Sequence, residues 1–60
     1  SSASIVIVHN HPSGDPTPSK NDIEVTKVIH QNSMMMDIQL IDHIIIGRNK
    51  YFSFKEKNII

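Results

Sequence analysis

Apolar and polar residues along this chain fall into blocks that suit short strands and one helix. Four consecutive β-branched apolar residues, Ile5 to Val8, are typical of a strand covered on both faces. The next segment, Pro12 to Pro18, contains three prolines and one glycine, so neither a strand nor a helix can continue through it. A helix is then predicted from Lys20 to about Gln31, ending at Asn32-Ser33.

The rest of the pattern predicts a connection and two more strands. The apolar positions of the predicted helix are Ile23, Val25, Val28 and Ile29. Met34 to Met36 then predict a packed connection, because methionine fills irregular gaps in a core. The sequence IQLIDHIII, Ile38 to Ile46, predicts a second strand. Gly47-Arg48-Asn49 predicts a turn, and YFSF a returning strand.

This order of strand, loop, helix, strand and strand predicts an α/β fold with too few layers to cover its own sheet. A chain of 60 residues buries only about 60% of its unfolded surface. We therefore expect residues 1–60 to be one partial domain whose N-terminal strands and helix lie outside this sequence. The alternative is a complete small domain that forms homo-oligomers. In a partial domain the missing strands would leave a sheet edge that favours pairing, so association is expected there too.

Composition narrows the class of protein. Six basic residues balance six acidic ones, so no net positive field supports binding to nucleic acid. The longest apolar runs are far below the about 20 residues that cross a bilayer, and no signal-peptide pattern opens the chain. We therefore expect a cytoplasmic protein without membrane contact. Because the chain has no cysteine, histidine and carboxylate are its only strong metal ligands.

Two histidines at the end of the first strand are the first candidates for chemistry. Residues i and i+2 of a strand share a face, so His9 and His11 project side by side while Asn10 points away. Such a pair is often simply half-exposed and without function. Ser19 and Asp22 have the spacing of a helix cap in which each side chain bonds the other's backbone, and a cap alone accounts for both.

A metal site is the alternative interpretation of the same residues. The proline-rich loop would turn the start of the helix toward His9 and His11, and Asp22 would complete a set of three ligands. A fourth position left open for water is the arrangement of a catalytic zinc. The helix dipole opposes a cation there by only about 0.3–1 kcal/mol, whereas zinc ligation in small peptides is worth roughly 10 kcal/mol. Zn²⁺ is therefore the expected cofactor.

The same residues resemble a known family. His-x-His, seven residues and Ser-x-x-Asp is similar to the JAMM motif of MPN-type metalloproteases, and HNHPSGDPTPS followed by Asp22 and Thr26 resembles the JAB-type domain of the RadC family. A second block, LIDHIIIG with YFSF downstream, resembles the end of that domain, so the resemblance covers nearly the whole chain. It implies a fragment of a JAB/MPN domain, which has a cytidine-deaminase-like fold. Ser33 and Asp37 stand where the family pattern has glycines.

The resemblance also implies roles for single residues. His9, His11 and Asp22 would hold zinc, and Ser19 would steady the attacking water or the oxyanion during hydrolysis of an amide or isopeptide bond. The family's general base is a glutamate on a strand upstream of the histidines. Glu24 is predicted to face away from the metal and Glu56 to be solvated. The expected activity is therefore that of a zinc hydrolase in the parent protein, acting on an unidentified peptide or protein, with residues 1–60 alone inactive.

The alternative function is a non-catalytic module that keeps the fold and the metal while binding a protein partner. The family's historical label of DNA repair has no physical support in the neutral charge of this chain. Asp42 and His43 are adjacent on a strand and are predicted to face opposite sides, so that one of them is a candidate to hydrogen-bond a ligand histidine.

Overall fold

The computed structural model describes residues 3–60 as one small sheet with a helix packed against it. The elements are β1 (Ala3–Asn10), α1 (Lys20–Met35), β2 (Ile38–Ile46) and β3 (Tyr51–Ser53). β1 runs parallel to β2, β2 runs antiparallel to β3, and the strand order is β1-β2-β3. The predicted α/β class and element order are confirmed. No helix in the described range is long and apolar enough to cross a membrane.

The helix begins as the sequence predicts and ends later. Ser19 and Asp22 form the reciprocal cap at its first turn. The helix continues to Met35, about four residues beyond the prediction, and the Met36 N–H closes it on the carbonyl oxygens of Asn32 and Ser33 at 3.2 and 3.1 Å. Asp37 then adopts φ 57°, a left-handed conformation that favours glycine. The resemblance implies glycine at this position, which would adopt this conformation without strain.

The helix packs on the sheet through small polar residues. Thr26 and Ser33 are its buried side chains, and the partly buried Asp22 lies four residues before Thr26 on the same face. Of the apolar positions predicted for this helix, Val25 and Val28 are 44% and 55% exposed and lie outside the buried face. These polar residues face the sheet because two of them bind groups at its end. The pattern of apolar positions in the sequence does not predict such contacts.

A bulge in the central strand decides which side chains of β2 face the helix. Ile5 lies opposite Leu40, but the next residue, Val6, lies opposite Asp42, so Ile41 is an extra residue in β2. Strict alternation from Leu40 would turn His43 outward. After the bulge His43 is buried beside the helix instead.

Asp42 fastens the chain after β3 to the central strand. Its Oδ2 accepts a hydrogen bond from the Ser53 hydroxyl at 2.5 Å, and its Oδ1 accepts from the Lys55 N–H at 3.0 Å. The Phe54 N–H donates to the His43 carbonyl oxygen, and the Phe54 side chain is fully buried. The predicted strand YFSF therefore ends at Ser53, and Phe54 enters the core from the following turn.

Two packing expectations are wrong within residues 3–60. Met34 to Met36 are 60%, 86% and 68% exposed, so they do not fill the core. Val6 and Val8 of β1 are also largely exposed, so this strand is not covered on both faces. β1 is an edge strand of the described sheet, and homo-oligomer formation through that edge stays a prediction.

Asp42 makes the fold sensitive to acid. Burial would raise the pKa of Asp42, but hydrogen bonds from Ser53 and from the Lys55 and His43 N–H groups outweigh it and hold this pKa below its ordinary value. A depressed folded pKa contributes stability above the unfolded pKa of about 3.9, and that stability is lost as pH falls through the folded pKa. We expect Asp42→Asn to lower the free energy of unfolding at pH 7 by about 1–3 kcal/mol and to flatten its decline below about pH 4.

Denaturant unfolding at several pH values measures both effects. Asp37→Asn is the matched control, because it removes an exposed carboxylate that makes none of these hydrogen bonds. Equal acid dependence in the wild type and the Asp42→Asn variant would contradict the assignment.

Candidate metal centre

The two histidines lie where β1 ends. His9 and His11 share one face of the strand with ring centroids 4.9 Å apart, whereas Asn10 is exposed on the other side. The His11 N–H donates to the Ile46 carbonyl oxygen at 3.1 Å and so extends the parallel ladder one residue past the strand. Extended backbone is therefore kept through both histidines, as the i and i+2 argument requires.

The loop after His11 is fastened to the end of β2. The Arg48 N–H donates to the Gly14 carbonyl oxygen at 2.7 Å, and the Gly14 N–H donates to the His11 carbonyl oxygen at 2.9 Å. Gly14 itself has φ 87°, which glycine tolerates best. A Cβ atom on Gly47 would overlap the Gly14 carbonyl oxygen and lie 2.7 Å from Cδ of the buried Pro16. The absence of a side chain at residue 47 therefore sets the position of the loop.

The start of α1 places Asp22 against both histidines. The Asp22 Oδ2 accepts from the Ser19 N–H at 2.8 Å, and the Asp22 N–H donates to the Ser19 hydroxyl oxygen at 3.0 Å. The two carboxylate oxygens lie 3.8 Å from His9 Nε2 and 3.1 Å from His11 Nε2. One ligand atom from each of the three residues lies within 4.8 Å of the others. The structure thus brings together the predicted set of His9, His11 and Asp22, with Ser19 hydrogen-bonded to Asp22.

The hydrogen bonds of His11 determine what the cluster fits. Its Nδ1 lies 3.0 Å from the Asp15 carbonyl oxygen, which can only accept, so Nδ1 carries the proton. In a neutral ring Nε2 is then a bare lone pair, and it faces the Asp22 Oδ2 at 3.1 Å. Two acceptors at this distance need a proton or a cation between them. The donor set therefore fits a metal ion that takes imidazole and carboxylate ligands.

Asp22 is ionised and accessible. The hydrogen bond from the Ser19 N–H is the largest cause that lowers the pKa of Asp22. The side chains of His9, His11 and Asp22 are 34%, 21% and 18% exposed, so an ion can reach them from solvent. A carboxylate that stays charged at neutral pH is available as a ligand without losing a proton.

His43 lies behind His9, and the sequence does not predict which residues surround it. His9 Nδ1 is 2.9 Å from His43 Nε2, so His43 is the member of the Asp42-His43 pair that contacts a ligand histidine. His43 Nδ1 is 2.5 Å from the Thr26 hydroxyl, and the imidazole stacks on Phe54 with centroids 4.6 Å apart. Burial lowers the pKa of His43, with a further contribution from His9. The contacts with Thr26 and Phe54 depend on the bulge and on the turn after β3, and neither has a local sequence signal.

The two glutamates lie elsewhere. Glu24 lines a cavity of about 270 Å³ with Val25 and Val28. Glu56 is exposed and accepts a hydrogen bond from the Tyr51 hydroxyl at 3.1 Å. Neither belongs to the cluster of His9, His11 and Asp22.

Comparison with known proteins identifies the family. The model of the RadC-like JAB domain matches residues 1–59. This chain belongs to the RadC-like JAB domain family. The family resemblance predicted from the two sequence blocks is therefore confirmed.

Three curated relatives of this RadC-like JAB domain are UPF0758 proteins. A UPF0758 protein from Clostridium novyi (strain NT) is 63% identical over 59 residues, which are 98% of this chain and 26% of that protein. One from Clostridium botulinum (strain Eklund 17B) is 62% identical over 60 residues, 100% of this chain and 26% of its own length. One from Bacillus licheniformis is 55% identical over 60 residues, 100% of this chain and 27% of its own length. The chain thus spans about a quarter of the length of these relatives.

The close approach at Gly47 is open to a direct test. We expect Gly47→Ala to lower the free energy of unfolding by about 1–3 kcal/mol, since the added methyl group meets backbone and a proline ring that cannot move aside independently. Lys50→Ala, at an exposed position of the same turn, should change it by less than about 0.5 kcal/mol. Denaturant unfolding of both variants gives the comparison. Equal stabilities would show that the loop is not held by this contact.

Proposed function

We propose that this RadC-like JAB domain is part of a zinc-dependent metallohydrolase that cleaves amide or isopeptide bonds with an activated water. The observation that supports the proposal is the convergence of His9, His11 and Asp22 within 4.8 Å, with His11 Nε2 3.1 Å from a carboxylate oxygen of Asp22. A donor set of two imidazoles and one carboxylate is that of catalytic zinc sites. Zinc itself, rather than another divalent ion, is part of the proposal.

In this proposal His9 and His11 offer Nε2 atoms and Asp22 offers a carboxylate oxygen as ligands. When bound, zinc supplies an open coordination position at which water ionises near pH 7 and a carbonyl group is polarised. The chain's own contribution is to hold the three ligands. The Asp15 carbonyl oxygen orients His11, and the Ser19 N–H orients Asp22.

Ser19 is the proposed group that contacts the reacting atoms. Its hydroxyl oxygen accepts from the Asp22 N–H, which leaves the hydroxyl proton for donation to the oxyanion of a tetrahedral intermediate. The residue is exposed at the start of α1, beside the ligand cluster, so a substrate carbonyl can reach it. We propose the same residue as both helix cap and oxyanion donor.

The general base is proposed to come from outside residues 1–60. Glu24 and Glu56 lie away from the cluster, and the resemblance to the JAMM motif implies a glutamate upstream of the histidines. We also propose that the parent protein acts on a peptide or protein substrate in the cytoplasm. DNA repair is no part of the proposal, because the balanced charge of this chain gives no support for contact with nucleic acid.

Zinc binding is the first test. We expect calorimetry to show about one zinc ion per chain and saturating zinc to stabilise the fold by about 2.7 kcal/mol at a hundredfold excess over Kd, since the ion binds the folded state alone. His11→Ala and Asp22→Asn should remove most of this gain.

Two control variants separate ligation from helix capping. Asp22→Asn keeps an oxygen that can accept from the Ser19 N–H while it loses the charge. Lys20→Ala, at the exposed first residue of α1, should keep full zinc binding. Equal zinc binding in all four proteins would show that the ligand assignment is wrong.

Turnover is the second test, made with the full-length protein on fluorogenic peptides and on a glycyl-glycine isopeptide of lysine. We expect zinc-dependent hydrolysis that His11→Ala abolishes and that Ser19→Ala lowers by about 10²–10³-fold with zinc stoichiometry unchanged. Residues 1–60 alone should be slower by at least about 10²–10⁴-fold, because they lack the general base. Zinc binding with no hydrolysis of any probe would instead favour the non-catalytic interaction module.

A further inference from the structure

The geometry points to a buried relay, formed by Thr26 and His43, that sets which ring nitrogen His9 presents to the metal. We propose that Thr26 and His43 are positioning residues, acting on the cluster through His9 and through the backbone of Asp22. What this relay does for the reaction rests on the proposed metal site. The relay itself is a property of the protein without metal.

The first step is the proton of the Thr26 hydroxyl. The hydroxyl donates to the Asp22 carbonyl oxygen at 2.7 Å, one helical turn earlier, as threonine commonly does within a helix. A hydroxyl has a single proton, so towards His43 the Thr26 oxygen can only accept. The 2.5 Å contact between the Thr26 oxygen and His43 Nδ1 therefore requires a proton on that nitrogen.

The second step passes this assignment to His9. In a neutral His43 ring with the proton on Nδ1, Nε2 is a bare acceptor. His9 Nδ1 lies 2.9 Å from it, so the His9 ring carries its proton on Nδ1. The lone pair of His9 is then on Nε2, the atom that faces Asp22 Oδ1 at 3.8 Å. The chain of hydrogen bonds leaves the metal-facing nitrogen of His9 unprotonated.

The relay is rigid because its members are buried. Thr26 and Phe54 are 0% exposed and His43 is 4% exposed. The His43 ring lies parallel to Phe54, with 5° between the planes, so its orientation is fixed by packing as well as by hydrogen bonds. In such surroundings an unpaired ring N–H is costly, which penalises the other tautomer of either histidine.

The relay contacts two proposed ligands, whereas a single hydrogen bond behind a ligand would contact only one. The Thr26 hydroxyl binds the Asp22 carbonyl oxygen and His43 binds the His9 ring, so one buried pair connects two of the three proposed ligands. Outer partners of metal ligands typically change metal affinity by about 10–100-fold when removed. The relay is expected to act on affinity through ligand orientation.

The experiment measures the His9 tautomer and zinc affinity in the full-length protein. Long-range ¹H–¹⁵N correlation spectra of the metal-free wild type should show the His9 proton on Nδ1. Thr26→Val removes the hydroxyl at nearly constant shape, and His43→Phe keeps the stacking on Phe54 without an acceptor. In both variants we expect a mixture of His9 tautomers and zinc affinity lower by about 10–100-fold.

Conservative variants and a stability control complete the test. Thr26→Ser restores a hydroxyl and His43→Gln restores an acceptor for His9, so both should recover most of the wild-type affinity and the single tautomer. Leu40→Val trims a buried apolar side chain that makes none of the relay's hydrogen bonds, and it should lower Tm with zinc affinity unchanged.

Three results would overturn the relay: a proton on His9 Nε2 in the wild type, an unchanged His9 tautomer in Thr26→Val or His43→Phe, or equal losses of affinity in Leu40→Val. If one of the two disruptive variants does not fold, the other still decides. Absence of zinc binding in the wild type would overturn the proposed metal site, and the tautomer measurement would still decide the relay.

Discussion

The reciprocal cap between Ser19 and Asp22 is the interaction on which the candidate site depends. It fixes the first turn of α1 and, in the same geometry, aims the Asp22 carboxylate at His9 and His11. A cap of this kind is worth about 1 kcal/mol, and a carboxylate near a helix N-terminus gains about 0.3–1 kcal/mol more from the dipole. The cap and the helix dipole together hold the Asp22 carboxylate at the cluster in the absence of an ion. Capping and ligation are therefore compatible uses of one side chain, although from the sequence they look like alternatives.

The position of the cluster follows from the parallel pairing of β1 and β2. Parallel strands end at the same edge of a sheet, which is where ligands bind in open α/β folds. The loop that leaves β1 is bound there to the turn that leaves β2, through Gly14 and Arg48, and Gly47 permits the close approach. The Asp15 carbonyl oxygen that orients His11 belongs to this loop. Backbone contacts between two connections thus control the ring of one proposed ligand.

The sequence predicts the elements and the three clustered residues well, because both rest on local signals. Proline and glycine mark the loop, the cap residues mark the helix start, and the period of a strand puts His9 and His11 on one face. The errors concern non-local packing. The bulge at Ile41 depends on pairing with β1 and turns His43 inward, and the helix contacts the sheet through Thr26 and Ser33 rather than Val25 and Val28. Hydrophobic periodicity cannot register a contact face in which Thr26 is buried to hydrogen-bond a histidine.

The core beneath the candidate site combines apolar side chains with hydrogen-bonded polar ones. Among residues 3–60 the buried apolar side chains are Leu40, Ile45 and Phe54, alongside the buried polar residues Thr26, Ser33, His43 and Ser53. A core of this size gains more stability from apolar side chains, and polar groups are tolerated there only when every one finds a partner. No buried side-chain nitrogen or oxygen in the described range lacks a hydrogen-bond partner. A fully bonded polar network has few alternative arrangements, since each change leaves a costly unpaired group. The core therefore buries less apolar surface than it could, and its polar network holds the His43 imidazole, behind His9, in one orientation.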